Sequence, residues 1–443
     1  MTIDVAKPEP GRSASSVSDQ EKKTASPVRQ WLAKLGPGVV TGASDDDPSG
    51  IATYSQVGAQ FGYGLLWTML LSYPLMAAIQ EICARIGRVT GGGLAANLRK
   101  SYPQPLLYAV LILMSAANVF NLGADIGAMG ASLQLLIPGK TIVFTTIFGL
   151  ASLLAVLFIP YSTYAKYLKW LTLSLFAYVG VAFTVHIPWK TVVSATLIPR
   201  MHLTRPFLMA LIAVLGTTIS PYLFFWQASQ EVEEVKTNRG EKALKRAPQQ
   251  APGQLDRIHV DTYVGMAFSN IVAFFIILTA ASTLHVHGIT DVSTCAQAAA
   301  ALEPIAGRFA SVLFVCGIVG TGLLAAPVLA ASLAFGIGEA FRWKVSLERT
   351  PKQAVRFYAA ICAATITALL LNLLRIDPVK ALFWAAVLNG LVAAPLMAVI
   401  MTMASSPKVM GKFVIPVYLR WVGWWATGVM TCVCLGVFIA WKW

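Results

Sequence analysis

Gly42-Ala43-Ser44-Asp45-Asp46-Asp47-Pro48-Ser49-Gly50 interrupts the first long apolar segment of the chain, near residues 37–58, and its reading decides the fold. Pro48 removes a backbone donor and its ring clashes with the preceding turn, while Gly42 and Gly50 relax the backbone on either side. A helix crossing a bilayer has no water to satisfy freed backbone groups, so a break is tolerated only where it lines a cavity. Three carboxylates lie in this break, and one isolated charge at mid-membrane costs about 2.5–3.5 kcal/mol or more. A solvated loop between two shorter helices would show the same residues, and a second interruption separates the two readings. Leu215-Gly216-Thr217-Thr218-Ile219-Ser220-Pro221-Tyr222 breaks the sixth apolar segment at Pro221, with three hydroxyls on hand for the freed groups. A lone proline in a membrane helix is an ordinary kink. Two interrupted segments, five apart, instead predict two five-helix repeats of inverted topology around a central site of the kind transporters use.

The composition agrees. Of 443 residues, 56% are hydrophobic and only 12% charged, too few charges for the surface of a soluble protein of this size. Eleven stretches are long enough to cross about 30 Å of hydrocarbon. They lie near 37–58, 63–87, 105–136, 141–160, 166–187, 206–231, 261–284, 308–341, 354–374, 379–403 and 414–440. The expectation is an all-α polytopic membrane protein of about eleven transmembrane helices, with helices 1 and 6 broken. Residues 33–188 would form the first repeat, 189–404 the second, and 405–443 the eleventh helix. Residues 1–32 are polar with no apolar core and read as a disordered cytoplasmic tail, not a signal peptide. The stretch 236–257, rich in Lys, Gln, Pro and Gly, reads as a flexible cytoplasmic loop.

A net charge of +14 raises nucleic acid as a partner, and the placement of the basic residues dismisses it. With the N-terminus cytoplasmic and the C-terminus outside, the inner tails, loops and helix ends hold 26 of the 34 Lys and Arg. The outer loop His285–Pro304 has none. That bias is the positive-inside pattern of a multi-pass cell-membrane protein, and the bilayer is the partner it implies. The six cysteines (83, 295, 316, 362, 432 and 434) lack metal-type spacing and read as buried apolar filler.

Neighbouring residues on a helix point about 100° apart, so Asp45, Asp46 and Asp47 cannot all face one ligand unless the helix unwinds. Asp47, directly before Pro48, is biased away from helical geometry. A carboxylate, unwound carbonyls and hydroxyls make a hard oxygen site suited to Mg²⁺, Ca²⁺ or Mn²⁺, and neither break contains Met, Cys or His. Asn118, Asn121 and Asp125 follow one face of the third segment, and an intramembrane Asp there marks an ion or proton route. Glu81 and Arg85 are spaced to neutralise each other. Asn389 in the tenth segment is a further cavity candidate. His186, His285 and His287 fall at outer helix ends and His202 and His259 in loops, so a mid-membrane histidine relay is not supported.

The run from Gly36 to Gly91 resembles the Nramp family of divalent-metal transporters. The resemblance is carried by Gly36-Pro37-Gly38, Asp47-Pro48-Ser49-Gly50, the phrase from Gly58 to Trp67 and the phrase from Ala84 to Gly91, and it continues in outline to the tenth segment. It implies a LeuT-like fold and alternating access. By the resemblance, Asp47, Gly50, Thr217 and Ser220 are the expected metal site. Asp46, Ser49, Asp125, Tyr222 and Asn389 stand around it or along the ion and proton pathway. The departures are specific. The family's Asp-Pro-Gly-Asn is here Asp47-Pro48-Ser49-Gly50, so the Asn ligand is lost. The family's Met-Pro-His is Ser220-Pro221-Tyr222, which removes the thioether and the histidine tied to proton movement. Thr217 stands where an Ala gives a carbonyl ligand, and the Glu expected three residues after Asp125 is Ala128. The pattern resembles the Nramp-related magnesium transporters, with Mg²⁺ or Mn²⁺ as transported substrate and no cofactor.

Three other readings compete. A proton-coupled Mn²⁺/Fe²⁺ importer of the standard type needs sulfur or imidazole from another helix. An organic-solute carrier of the same fold would have its substrate carboxylate repelled by Asp47 and its neighbours. A membrane enzyme with an Asp-rich metal site wants carboxylates three or four apart on one helix face, whereas 45, 46 and 47 are consecutive.

Overall fold

Proline and glycine cut the apolar sequence into helices at both expected breaks. The computed structural model describes residues 36–159, 163, 174–238, 240–374 and 376–442. The tail 1–32 and much of the expected segment 166–187 lie outside the described residues. In chain order the helices are α1 (Pro37–Asp45) and α2 (Pro48–Phe61), which share the first span, then α3 (Trp67–Thr90) and the short α4 (Leu94–Ser101). They continue with α5 (Gln104–Leu133), α6 (Thr141–Phe158), α7 (Phe176–Thr184) and α8 (Trp189–Leu197). The sixth span is again in two pieces, α9 (Arg205–Thr218) and α10 (Pro221–Thr237), followed by α11 (Ala251–Ala280) and α12 (Cys295–Ala300). The last four longer helices are α13 (Ala310–Ala340), α14 (Val355–Leu371), α15 (Pro378–Ala404) and α16 (Val417–Lys442), with single helical turns at Glu303–Ala306 and Pro407–Met410. No strand occurs among the described residues. Eight helical stretches there are long and apolar enough to span a membrane, and the 108° bend between 48–65 and 67–90 joins a ninth candidate. Gly62, with φ +55°, makes that bend possible, and the His285 ring packs where its side chain would be.

Burial sorts the spans into a centre and a rim. The apolar stretch of the sixth span is wholly enclosed, whereas α6 presents Ile142, Val143, Ile147, Leu150 and Leu154 outward, as lipid contact requires. Backbones meet closely at the two broken spans. A Cβ on Gly42 of α1 would stand 2.2 Å from the Gly265 carbonyl oxygen of α11, and one on Gly216 of α9 would stand 2.1 Å from that of Ala386 on α15. Small residues let these pieces seat against their neighbours, the usual way to pack helices in lipid.

Three expectations need correction. The stretch 236–257 is packed, with α10 running to Thr237 and α11 starting at Ala251. Between them Leu244 and Ala247 are buried, and the Leu244 and Lys245 amides donate to the Arg88 and Val89 carbonyls at 3.1 and 3.2 Å. The small apolar face hidden among its charges explains the seating. His259 lies in α11, with Nδ1 3.0 Å from Glu81 Oε2. Cys316 and Cys432 are exposed and Cys362 half-buried, so only Cys83, Cys295 and Cys434 are buried filler. The Glu81–Arg85 pair is present at 2.6 Å.

Candidate metal-transport site

The first break is short and tightly bonded. Helix α1 ends at Asp45, Asp46 leaves helical geometry at ψ 55°, and Asp47 is extended at φ −73°, ψ 170°. Asp47 thereby becomes the N-cap of α2: its Oδ1 accepts from the Gly50 amide at 2.9 Å and from Ser49 Oγ at 2.6 Å. Its Oδ2 accepts from Asn121 Nδ2 at 3.0 Å, across from α5. Tyr222 donates to the Ser44 carbonyl at 2.8 Å, which leaves its hydroxyl 3.4 Å from Asp47 Oδ2. A carboxylate has about four acceptor positions, so three protein donors leave room for a cation ligand.

The second break faces the first. Ile219 and Ser220 are non-helical, and Ser220 Oγ donates to the Thr217 carbonyl at 2.8 Å. The Ser220 proton is thus spent on the carbonyl that the resemblance makes a ligand, and the lone pairs of its oxygen stay open to a cation. A Cβ on Gly50 would stand 3.2 Å from Thr217 Oγ1 and 3.8 Å from the Asp45 carbonyl oxygen, so Gly50 and Thr217 meet across the two breaks. Asp45 and Asp46 turn to α11, where Ser269 Oγ lies 2.6 Å from Asp45 Oδ2 and 3.0 Å from Asp46 Oδ1. Asp125 lies toward the Ser49 amide and Asp47. Neither of its carboxylate oxygens accepts a well-formed hydrogen bond from the protein.

The structure thus brings together Asp47, Ser49, Gly50, Asp125, Thr217, Ser220 and Tyr222, with Asp46 one residue off and held toward Ser269. Asn389 is buried on α15, its Nδ2 without a protein partner, and no bond joins it to Asp47. Asn121 and Ser269 are the functional additions. Asn121 was visible only as part of a polar stripe, and a serine in a long apolar helix gave no signal for Ser269. Met129 follows Asp125 by four residues on α5. Its sulfur and Pro48 Cγ lie within 2.7 and 3.2 Å of where a Cβ on Gly322 would stand.

All four carboxylates are at most 2% exposed, and among the described residues none forms an ion pair with Lys, Arg or His. A buried cluster of uncompensated acids attracts cations and rejects anions. No group of three His, Cys, Asp or Glu converges on a single ion position among the described residues. Access differs at the two ends. Toward Phe61 a cleft of about 210 Å³ opens between α2, α9 and α15, lined by Gln56, Met209, Asp291, Lys380, Phe383 and Trp384. Toward Gly36 the bundle is shut by charge. Asp261 of α11 accepts the Gly36 and Gly38 amides at 2.7 and 2.6 Å. Arg257 bridges Glu231 and Glu234 at 2.6 and 3.0 Å, and Arg88 is paired with Glu241.

Residues 38–440 match the natural resistance-associated macrophage protein-like family, Nramp. The chain belongs to this family. It is 26% identical over 424 residues to the divalent metal cation transporter MntH of Klebsiella pneumoniae, covering 93% of this chain and 94% of that one. It is 27% identical to the MntH of Verminephrobacter eiseniae, over 80% and 81% of the two chains. The manganese transporter of Eremococcus coleocola superposes with a TM-score of 0.71 at 17% identity, covering 93% of this chain and 87% of that one. Mhp1, a nucleobase-cation-symport-1 family transporter, superposes at 0.56 with 12% identity, over 92% and 93% of the two chains. The Nramp chain described here is thus an all-helical membrane transporter of the LeuT-like fold that moves a divalent metal cation and not an enzyme. The metal is its substrate.

Proposed function

We propose that this Nramp protein moves Mg²⁺, and Mn²⁺ beside it, by alternating access through the paired breaks, with its N-terminus cytoplasmic and its C-terminus outside. The observation carrying this reading is the donor set at the breaks: the Asp47 carboxylate, the Thr217 hydroxyl and carbonyl, and the backbone beside Gly50, with neither sulfur nor imidazole bonded to any of them. Such donors are hard and few, so the ion keeps part of its water, as Mg²⁺ prefers. Asp47 is the ligand, and Asp46, turned toward Ser269, raises the local concentration of cations. The charge-closed end and the opposite cleft give the two gates that alternating access requires. Uptake into proteoliposomes tests the assignment. Asp47→Ala abolishes Mg²⁺ and Mn²⁺ uptake while Asp46→Ala lowers it. The reverse order would remove Asp47 as ligand.

A second reading is Mn²⁺ import of the standard family type, which the similarity to a manganese transporter and to divalent metal cation transporters favours. Sulfur discriminates for transition metals if it reaches the ion.

A further inference from the structure

The linker between α7 and α9 carries a surface that the transport site does not use. Within it, α8 sets Trp189, Val193 and Leu197 four residues apart on one stripe, and Ile198, Met201 and Leu203 follow in the chain after the helix. All six are more than half exposed. So many large apolar side chains left uncovered in one linker mark a surface that water does not face. The helix packs against α3 and against the turn Gly62–Leu65, where the chain bends by 108° between two spans. It therefore lies at the membrane boundary, where a short helix with one apolar face and a Trp settles among the headgroups. Its other side is polar. Between it and the turn is a cavity of about 480 Å³, whose lining includes Tyr63, Lys190, Thr191, Ser194, Arg200 and His202 and no carboxylate. No Asp or Glu occurs in the sequence between Asp125 and Glu231, and among the described residues neither Lys190 nor Arg200 forms an ion pair.

We propose that this cavity is a binding site for the headgroup of an anionic phospholipid, taken from the leaflet at the Phe61 end of the bundle. Two cations that share a cavity without a counter-charge repel each other until an anion joins them. The Arg200 guanidinium offers a phosphate its planar fork of donors, Lys190 a mobile point charge, and Thr191 and Ser194 neutral hydroxyls. Lys190, Thr191 and Ser194 stand on one face of α8 at spacings of one and four, so a single ligand reaches all three. The apolar stripe decides between a lipid and a soluble anion. Trp189, Val193 and Leu197 adjoin the basic face on the same nine-residue helix, which places acyl chains beside the charge that binds their headgroup. Lys190 and Arg200 lay their methylene stems along that apolar surface and keep their charged ends at headgroup level. The volume suits a headgroup. A lipid seated there braces α8 against the Gly62–Leu65 turn, so its binding stabilises the fold.

The test titrates the purified protein, in a neutral detergent, with dioleoylphosphatidylglycerol, dioleoylphosphatidylcholine and inorganic phosphate. Native mass spectrometry counts the bound lipid, and the thermal midpoint is recorded alongside. Phosphatidylglycerol is expected to bind more tightly than phosphatidylcholine and to raise the midpoint. Lys190→Gln combined with Arg200→Gln should weaken that binding roughly 30-fold, the loss of two basic contacts at a membrane surface. Lys140→Ala, at an exposed lysine between α5 and α6, should leave it unchanged. If the double variant is not monodisperse, the single variants carry the test at roughly fivefold each. Equal binding of the two lipids overturns the proposal, as does phosphatidylglycerol binding that the substitutions leave intact. Displacement of the bound phosphatidylglycerol by inorganic phosphate overturns it too, and makes the cavity a site for a soluble anion. Metal uptake enters none of these readouts, so the outcome stands apart from the transport reading.

Discussion

Asp261→Asn should release the gate at the Gly36 end. In the closed arrangement the two Asp261 oxygens accept the Gly36 and Gly38 amides at 2.7 and 2.6 Å, so a side chain of α11 caps the start of α1. Asparagine keeps one acceptor and turns the other into a donor that faces an amide. The loss is one hydrogen bond to a charged acceptor, about 1.5–3 kcal/mol. The negative charge at the helix N-terminus is lost with it, about 0.3–1 kcal/mol. Relief of repulsion from Glu231 and Glu234 offsets part of this and the lost attraction of Arg257, 4.0 Å away, adds to it, so about 2 kcal/mol is the working figure, roughly a 30-fold shift toward an open gate at this end. Thr41 reports the opening. It is fully buried on α1 and its hydroxyl donates to Gln227 Oε1 of α10. With the native cysteines replaced and Thr41→Cys introduced, labelling by a membrane-impermeant thiol reagent in inside-out vesicles should be about 30 times faster in Asp261→Asn. A rate within about twofold of the parent, a shift of about 0.4 kcal/mol, would refute the reasoning.

Two further changes probe the site and its supports. Ser220→Met both frees the Thr217 carbonyl, now bonded to Ser220 at 2.8 Å, and adds a thioether. It should raise Mn²⁺ affinity relative to Mg²⁺ in competition uptake, whereas Met129→Leu should leave that ratio unchanged unless its sulfur reaches the ion. Gly216→Ala places a methyl 2.1 Å from the Ala386 carbonyl oxygen, so α9 and α15 must part. The expected cost is about 1–3 kcal/mol, read as a lower thermal midpoint of the purified protein.

Much of this architecture is written in local chemistry. Pro48 and Pro221 each remove a donor and force a break, and three consecutive carboxylates at the first of them have no place in hydrocarbon unless a cavity receives them. Asp47 could be singled out because a residue before proline leaves the helix. What stayed hidden depends on partners distant in sequence. Ser220 was read as offering its hydroxyl oxygen to the ion, and its sequence did not reveal that the proton goes to the Thr217 carbonyl three residues back, a common bond for serines near helix ends. Ser269, Asp261 and Asn121 are ordinary residues until α11 and α5 lie beside α1 and α2. The stretch 236–257 looked unstructured because its composition is polar. The seating of Leu244 under Arg88 depends on where α3 ends, which its own residues do not reveal.

Uptake of Mg²⁺ and Mn²⁺ into proteoliposomes, with internal pH recorded and Asp47→Ala as control, tests the central claim most directly. The account predicts Mg²⁺ uptake that depends on Asp47 and proceeds without acidification, because the family's histidine is Tyr222 here and its hydroxyl is engaged with the Ser44 carbonyl at 2.8 Å. Mn²⁺ uptake alone, accompanied by proton entry, would contradict it and establish the standard Nramp reading in its place.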